Sequence, residues 1–598
     1  VKKIIYYYLF VIAISTVVNL WLIGGFMDGS GFPLIRSDGD GYYIYLPTLL
    51  IHKTLDFSVL KQHFMGNIIN CPGIYLHPTT GKFMNIYPIG VAVLMSPFFL
   101  MAHFVTIITQ LYIADGYSLF YQCSPQFSAL FYYLVGIYFL FKSLLNHFNK
   151  KTALLTVFII TFGTSLFHYI TFDAVFSHVY TFSFVSILIY LTVRFWSKPS
   201  LKIAIPLGIS IGILVLIRNY NIIYTIYFLF YPLNLPESRL ELKKAFKIYR
   251  IEFNKIIIVF ISAFLVIIPQ LWIWKTLAGS FIVYSYGTIG FNWLSPHLVQ
   301  VLFSTDKGLF FWTPTLIVGS FGLGIGIKQN QDKQLRKTTL ISILILLLLI
   351  YIISSWSVWN FGASYGHRGF VDAYAFFAFG LATALEYSRL NWSKVLVNTI
   401  LVVLTVLVNV QLYNYWLGVI PFEKTTLKVY LQALQQFPQR LYVGLFVPKS
   451  RKSSNVNSGL KALLNPMPEQ KIPTVAKPGQ TIVINYSVLN KGKSYWLDVF
   501  ITPNPGKVTL AVIWLSQLEK SKSCKRPSIP PVSIELIPLP KLVAPGERVY
   551  IKGSVQAPKV SGKYTMFVEM LSERVAWFGD LGDSSVDCYN IIVENKPK

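Results

Sequence analysis

The run IIIVFISAFLVIIPQLWIW, residues 256–274, contains no Asp, Glu, Lys or Arg. As a helix it would be long enough to cross the hydrocarbon core of a bilayer. IIYYYLFVIAISTVVNLWLI (4–23) and TTLISILILLLLIYII (338–353) repeat the pattern. With 54% hydrophobic and 13% charged residues over 598 positions, the chain has too little polar surface to cover a soluble fold of this size. These runs predict a polytopic α-helical membrane protein. The first is too long and aromatic for a cleaved signal peptide and lacks a small-residue cleavage site, so it is expected to remain as an anchor.

The net charge is +27. Up to residue 459 bases outnumber acids more than two to one, and many lie in short loops between apolar runs. Examples are NHFNKK (146–151), RFWSKPSLK (194–202), the basic segment 237–255 and KQNQDKQLRK (328–337). This is the bias of loops that stay in the cytoplasm. No basic stripe interleaved with stacking aromatics lies outside the apolar runs, which argues against a nucleic-acid partner. With these loops inside, residues 26–86, 112–127, 172–174, 275–308, 354–369 and all beyond about 416 fall outside. Thirteen crossings fit, and eleven fit if the two short pairs 87–111 and 203–232 are broken helices. With the amino terminus in the cytoplasm an odd number leaves the tail outside, and the expected location is the plasma (inner) membrane.

The tail changes period. TIVINYSVLN, VTLAVIWLSQ, RVYIKGSVQ and KYTMFVEML alternate apolar and polar residues between turns such as KPGQ and APGER. That pattern predicts an antiparallel β-sandwich over 465–598, with Trp496, Trp514 and Trp577 in its core. Residues 416–464 read as a linker with an amphipathic helix lying on the membrane. The expected domains are therefore 1–415, transmembrane and catalytic; 416–464, linker; and 465–598, accessory. All four cysteines face outward in this topology, which suits an oxidising compartment and up to two disulfides, most simply Cys71–Cys123 and Cys524–Cys588.

Ionisable residues beside membrane spans are costly and need a reason. They gather at the outer ends. IRSDGDGYYIYLP (35–47) carries Asp38 and Asp40 with Tyr42, Tyr43 and Tyr45. Asp115 and Asp173 lie in later outer loops, with His178 just beyond, and Arg218 sits at the turn of a short pair. Lys275, His297, Asp306 and Lys307 belong to one loop, where the adjacent Asp306 and Lys307 are expected to be solvated. His367, Arg368 and Asp372 close another. Each has an ordinary reading as a helix cap, a satisfied core histidine or a neutralising partner; DGDG lacks the further ligands of an EF-hand. Together they suit the head of a lipid phosphate carrying a sugar. Arginine or lysine would hold the phosphate and stabilise it as a leaving group, while a carboxylate takes the proton of an attacking hydroxyl.

At these residues the chain resembles the GT-C superfamily of polyprenyl-phosphate-dependent glycosyltransferases, especially protein O-mannosyltransferases and the aminoarabinose transferases of lipid A. The resemblance covers about residues 1–415. It rests on Asp38 and Asp40 with Tyr42, NIYPIGVAVLMSPFF, FGTSLFHYITFDAVFSHVYTF with Asp173 and His178, GILVLIRNYNIIY with Arg218, and WSVWNFGASYGHRGF with His367 and Arg368. It implies an inverting transfer to an acceptor hydroxyl on a lipid, polysaccharide or protein, with Asp38 as base. Asp40 would orient the acceptor or hold a divalent metal, the one cofactor the resemblance allows, and Asp173 would join them. Tyr42, Tyr43, His178, His367, Arg218 and Arg368 would bind substrate. Two departures stand out: a glycine separates acids that are adjacent in mannosyltransferases, and the basic residue expected before the second span is missing, Lys82 being nearest. The tail resembles immunoglobulin-like accessory domains. A transporter or flippase of lipid-linked sugars, or a non-enzymatic surface binding protein, are the alternatives. A transporter should carry midplane charges and an internal repeat, and neither is evident.

Overall fold

The computed structural model describes residues 2–27, 33–233, 247–287, 289–328, 332–387, 391–447, 452, 459–499, 506–516, 524, 530–582 and 584–595. Residues 237–246 and 329–331 of two basic loops lie outside the described residues. Among the described residues eight helices are long and apolar enough to cross a membrane: Ile4–Gly25, Gly90–Thr109, Leu119–Leu144, His178–Ser197, Phe253–Ala278, Lys333–Ser355, Arg368–Glu386 and Ser393–Trp416. Leu201–Ile217 and Thr315–Ile327 are apolar but shorter. The chain is a polytopic α-helical membrane protein with a carboxy-terminal β domain, and Val1–Leu412 and Tyr413–Lys598 form two compact units.

In the first unit small residues set the closest helix contacts. Gly208 and Gly212, one turn apart, bring Leu201–Ile217 against Phe253–Ala278. A Cβ on Gly208 would come within 2.2 Å of the Val259 carbonyl oxygen. Such small-x-x-x-small spacing lets membrane helices gain packing where lipid offers no hydrophobic drive between them. The other side of Phe253–Ala278 leaves Phe260, Ile261, Phe264, Leu265 and Trp272 exposed, as a lipid-facing stripe requires.

The two short pairs differ. Residues 87–111 are one helix, Gly90–Thr109, rather than two, because the chain before Gly90 is a short two-stranded hairpin and an irregular entry. The second pair is broken: Leu201–Ile217 ends at Arg218, whose backbone is extended, and 3-10 turns Asn219–Tyr224 lead into Thr225–Phe230. The Leu214 carbonyl keeps its helical bond from the Arg218 amide at 3.2 Å and accepts a second from Asn221 Nδ2 at 2.9 Å, which fastens the turn to the helix end.

The second unit holds two sheets around one core. One has strand order Val475–Ala476, Asp587–Val593, Gly562–Ser572, Val508–Ser516, Ser533–Pro538, all neighbours antiparallel except the first pair. The other runs Ala462–Pro466, Thr481–Asn490, Arg548–Gln556, antiparallel throughout. Ile482, Ile484, Tyr486 and Val488 point inward at every second position, as a half-buried strand requires. Val508–Ser516 is buried on both faces. Leu510, Val512 and Trp514 enter the main core, while Ile513 and Leu515 meet Phe567 on the far side. Trp496 and Trp514 fill the core, but Trp577 does not; it packs, half-buried, on that far-side cluster.

Cys524 and Cys588 form a disulfide with Cα atoms 5.5 Å apart. Closing a loop of that length constrains the unfolded chain by about 4 kcal/mol. Cys71 and Cys123 do not pair and remain separate thiols, Cys71 fully buried. Their shared outward topology does not place them side by side. Digestion without reduction is expected to yield a cross-linked peptide holding Cys524 and Cys588, with alkylation of the unfolded chain at Cys71 and Cys123. A Cys71–Cys123 peptide in the mass map would contradict this arrangement.

Candidate active site

The acidic segment is a single helical turn, Asp38–Tyr43, entered from Ser37 with φ of 54°. Its two glycines answer to close packing. A Cβ on Gly39 would lie 2.0 Å from Val175 Cγ1, and one on Gly41 2.4 Å from the Tyr87 ring and 2.5 Å from the Pro72 carbonyl oxygen. Asn85 clamps the turn, its Nδ2 donating to the Gly41 carbonyl at 2.7 Å while its Oδ1 accepts from the Tyr87 amide at 3.0 Å. The Tyr42 ring rests on Tyr87, centroids 4.4 Å apart.

Three arginines meet three carboxylates around this turn. Arg368 Nη2 lies 2.8 Å from Asp38 Oδ2. Arg218 Nη1 lies 3.4 Å from Asp372 Oδ2, and Arg36 Nη2 2.8 Å from Asp173 Oδ1. Arg368 is 7% exposed; Nη2 also donates to the Phe361 carbonyl, whereas Nε and Nη1 are buried with no hydrogen-bond partner among the described residues. Arg218 Nε donates to the Tyr42 hydroxyl at 3.3 Å and Nη1 to Tyr220 at 2.9 Å. Arg218 Nη2 lies 3.1 Å from His178 Nε2, and His178 Nδ1 lies 3.0 Å from Asp372 Oδ1. A guanidinium only donates, so Nε2 accepts, and Nδ1 carries the proton given to Asp372. His178 is thus a neutral link between Arg218 and Asp372.

Asp173 also receives His168 Nε2 at 2.7 Å. Burial pushes its carboxyl up, but the His168 and Arg36 charges outweigh that and bring it down to about 2. Tyr286, from the stretch after Phe253–Ala278, packs edge-on against Trp356 and is within electrostatic reach of Asp38, Arg218 and Arg368. The Asp40 carboxyl has other neighbours. Burial raises it to about 7 against the pull of Arg36, and it acts electrostatically on Cys71 and Tyr117.

Of the residues expected from the sequence, Asp38, Tyr42, His178, Arg218 and Arg368 come together, with Asp173 in an adjoining ion pair. Others serve elsewhere. Tyr43 is buried, with its hydroxyl on the Gly116 carbonyl and its ring against Phe99 and Tyr117. Lys82 is exposed and donates to the Thr276 carbonyl at 2.9 Å. The His367 ring edges against Phe361 and Phe370; burial, then the Lys307 charge, holds it down at about 3, so it is no cation at neutral pH. Lys307 is buried rather than solvated and donates to the Ser364 carbonyl. Arg36, His168 and Tyr220 join the site without having been singled out for it, and Asp372, noted among the outer ionisable residues but given no role, pairs with Arg218 and His178. Asp372 stands four residues after Arg368 and Arg36 two before Asp38, and that proximity was the available signal. Among the described residues no three His, Cys, Asp or Glu side chains converge to hold a metal ion.

No family model matches the chain, and no curated protein matches it. Among solved structures it is similar to ArnT from Cupriavidus metallidurans, crystallised bound to undecaprenyl phosphate. The TM-score is 0.41 at 10% identity, over 73% of this chain and 70% of that one.

The Asp40 carboxyl gives the site a pH signature. Its folded value, about 7, stands above the 3.8 of an ordinary aspartate. Its protonated form therefore contributes stability that is whole below the unfolded value and lost as pH rises through the folded one. Asp40→Asn is expected to melt alongside the parent at about pH 4 and above it at about pH 8. Parallel melting curves across that interval would reject a buried, protonated Asp40.

Proposed function

We propose that the protein is a membrane glycosyltransferase of the GT-C kind, with its catalytic part in residues 1–415. It moves a sugar with inversion from a polyprenyl-phosphate donor to an acceptor hydroxyl on a lipid, polysaccharide or protein. In this reading the site opens on the extracytoplasmic face of the inner membrane, and residues 465–598 form an accessory domain there.

The observation that carries the reading is the Asp38–Arg368 contact together with the two unpartnered nitrogens of Arg368. A buried guanidinium with donors to spare asks for an anion, and two oxygens of a tetrahedral phosphate match its planar fork. When the donor's phosphate takes up Arg368, Asp38 loses its counterion and becomes available to accept a proton. Arg218, held by His178, Asp372 and Tyr220, offers a second cation without rearrangement.

The acceptor oxygen attacks the anomeric carbon from the side opposite the phosphate, and its proton passes to Asp38. The bond from the anomeric carbon to the phosphate oxygen breaks, and the lipid phosphate leaves with the electron pair. Arg368 and Arg218 stabilise the charge that grows there. Tyr42, Tyr87 and Tyr286 would supply flat faces for the sugar.

Asp38→Asn is expected to lower transfer by the folded, inserted protein at least about hundredfold, the usual share of a general base, and to melt below the parent because Arg368 loses its counterion. Arg218→Gln should instead raise the KM for donor, since it removes a phosphate ligand. The measurement is release of bare polyprenyl phosphate from a panel of isoprenoid-linked sugars incubated with purified protein. Full transfer by Asp38→Asn would reject Asp38 as base.

A further inference from the structure

The helices Leu427–Gln435 and Phe437–Phe446 have two apolar faces, where a helix on a water-soluble domain needs one. One face is used. Tyr430, Ala433, Val443 and Val447 are buried, and Val443 and Val447 pack with Leu497 of the β domain. The other face carries Leu427, Leu431, Leu441, Tyr442 and Phe446, each at least 43% exposed, and no described residue covers it. Leu427 and Leu431 lie one turn apart on the first helix and Tyr442 and Phe446 one turn apart on the second, with Leu441 beside them, so each helix presents an apolar stripe of its own rather than scattered surface leucines.

Continuity of the chain identifies the occupant. Ser393–Trp416 is long and apolar enough to cross the membrane, and only residues 417–426 separate its end from Leu427. Ten extended residues reach at most about 35 Å, and these are not extended. The amides of Val419 and Ile420 both return to the Asn414 carbonyl, at 3.0 and 3.2 Å, folding the chain back at the helix end. The stripe therefore begins next to a bilayer. Tyr442 and Phe446 are side chains that settle at the lipid–water boundary, and Lys424 and Lys428, both exposed at the head of the first helix, are placed to snorkel to headgroups.

We propose that the outer face of residues 427–446 is a membrane-surface anchor. Its stripe lies among headgroups and the first carbons of the acyl chains, while its inner face carries the β domain. This is independent of the transfer reading, because it concerns lipid contact and no catalytic group.

The test uses the full chain with Cys71→Ser and Cys123→Ser, reconstituted into phosphatidylcholine–phosphatidylglycerol vesicles. Nitroxides are attached at Leu431→Cys and Tyr442→Cys on the stripe, and at Tyr550→Cys, an exposed β-strand residue, as control. Collision with lipid-partitioned oxygen should exceed collision with a water-soluble nickel chelate severalfold at 431 and 442, and the order should reverse at 550. Nickel-dominated collision on the stripe would overturn the proposal. So would protection from both colliders, which means a protein partner, or spin–spin broadening removed by dilution with unlabelled protein, which means a second copy. Should the cysteine-replaced background fail to fold, the same labels are read in the native chain after subtracting the unsubstituted protein's spectrum.

Discussion

The ion pair between Asp38 and Arg368 ties together parts of the chain more than three hundred residues apart, and much of the first unit is arranged to permit it. Asp38 reaches its position because Gly39 and Gly41 let the acidic turn lie directly on Val175, Tyr87 and Pro72. Arg368 reaches its own because it opens the 3-10 turns that enter a buried helix, with its guanidinium over the Phe176 ring. A guanidinium buried this far without a counterion costs several kcal/mol, so the resting site must offer it a carboxylate. An anion of similar geometry can replace that carboxylate at modest cost. In the proposed reading one contact thus serves both the stability of the site and its exchange of a carboxylate for a phosphate.

The break at Arg218 is the second element of the arrangement. A continuous helix would leave this cation pointing along its own surface. An extended residue followed by 3-10 turns instead projects it towards Tyr42, His178 and Asp372, and Asn221 ties those turns to the helix end by a second bond to the Leu214 carbonyl. His178 and Asp372 are fully buried and hold Arg218 from behind, fixing its direction without offering a surface to a ligand. Polar groups at this depth are stable when every member has a partner, and here the histidine tautomer follows from its neighbours.

What could be read from the sequence follows from cost. Asp38, Arg218 and Arg368 stood out because a charge beside an apolar run is expensive, and all three lie in the cluster. The apolar runs and the alternating tail carry their periods openly, so the membrane helices and the sandwich were legible. Arg36 was not, since an arginine flanking a span is ordinary; its partner Asp173 is distant in sequence and only folding unites them. Asp372 was noted but not assigned, because 3-10 geometry rather than a regular helix sets where it faces. Trp577 and the pair Cys71 and Cys123 show another limit. Composition and topology say which side of a sheet or membrane a residue favours, but not which neighbour it meets.

The spacing of DGDG carries one more consequence. On a strand, acids two apart would share a face and could act as a dyad or bridge one ion. On a helical turn the same spacing separates them by about 200°. The chain adopts the helical turn, and the acids go to different company: Asp38 to Arg368, Tyr87 and Tyr286, Asp40 to Arg36, Cys71 and Tyr117. Two carboxylates that read as a pair in one dimension therefore have separate tasks in three. The first pairs with Arg368 and is the proton acceptor in the proposed reading; the other is near Arg36, Cys71 and Tyr117.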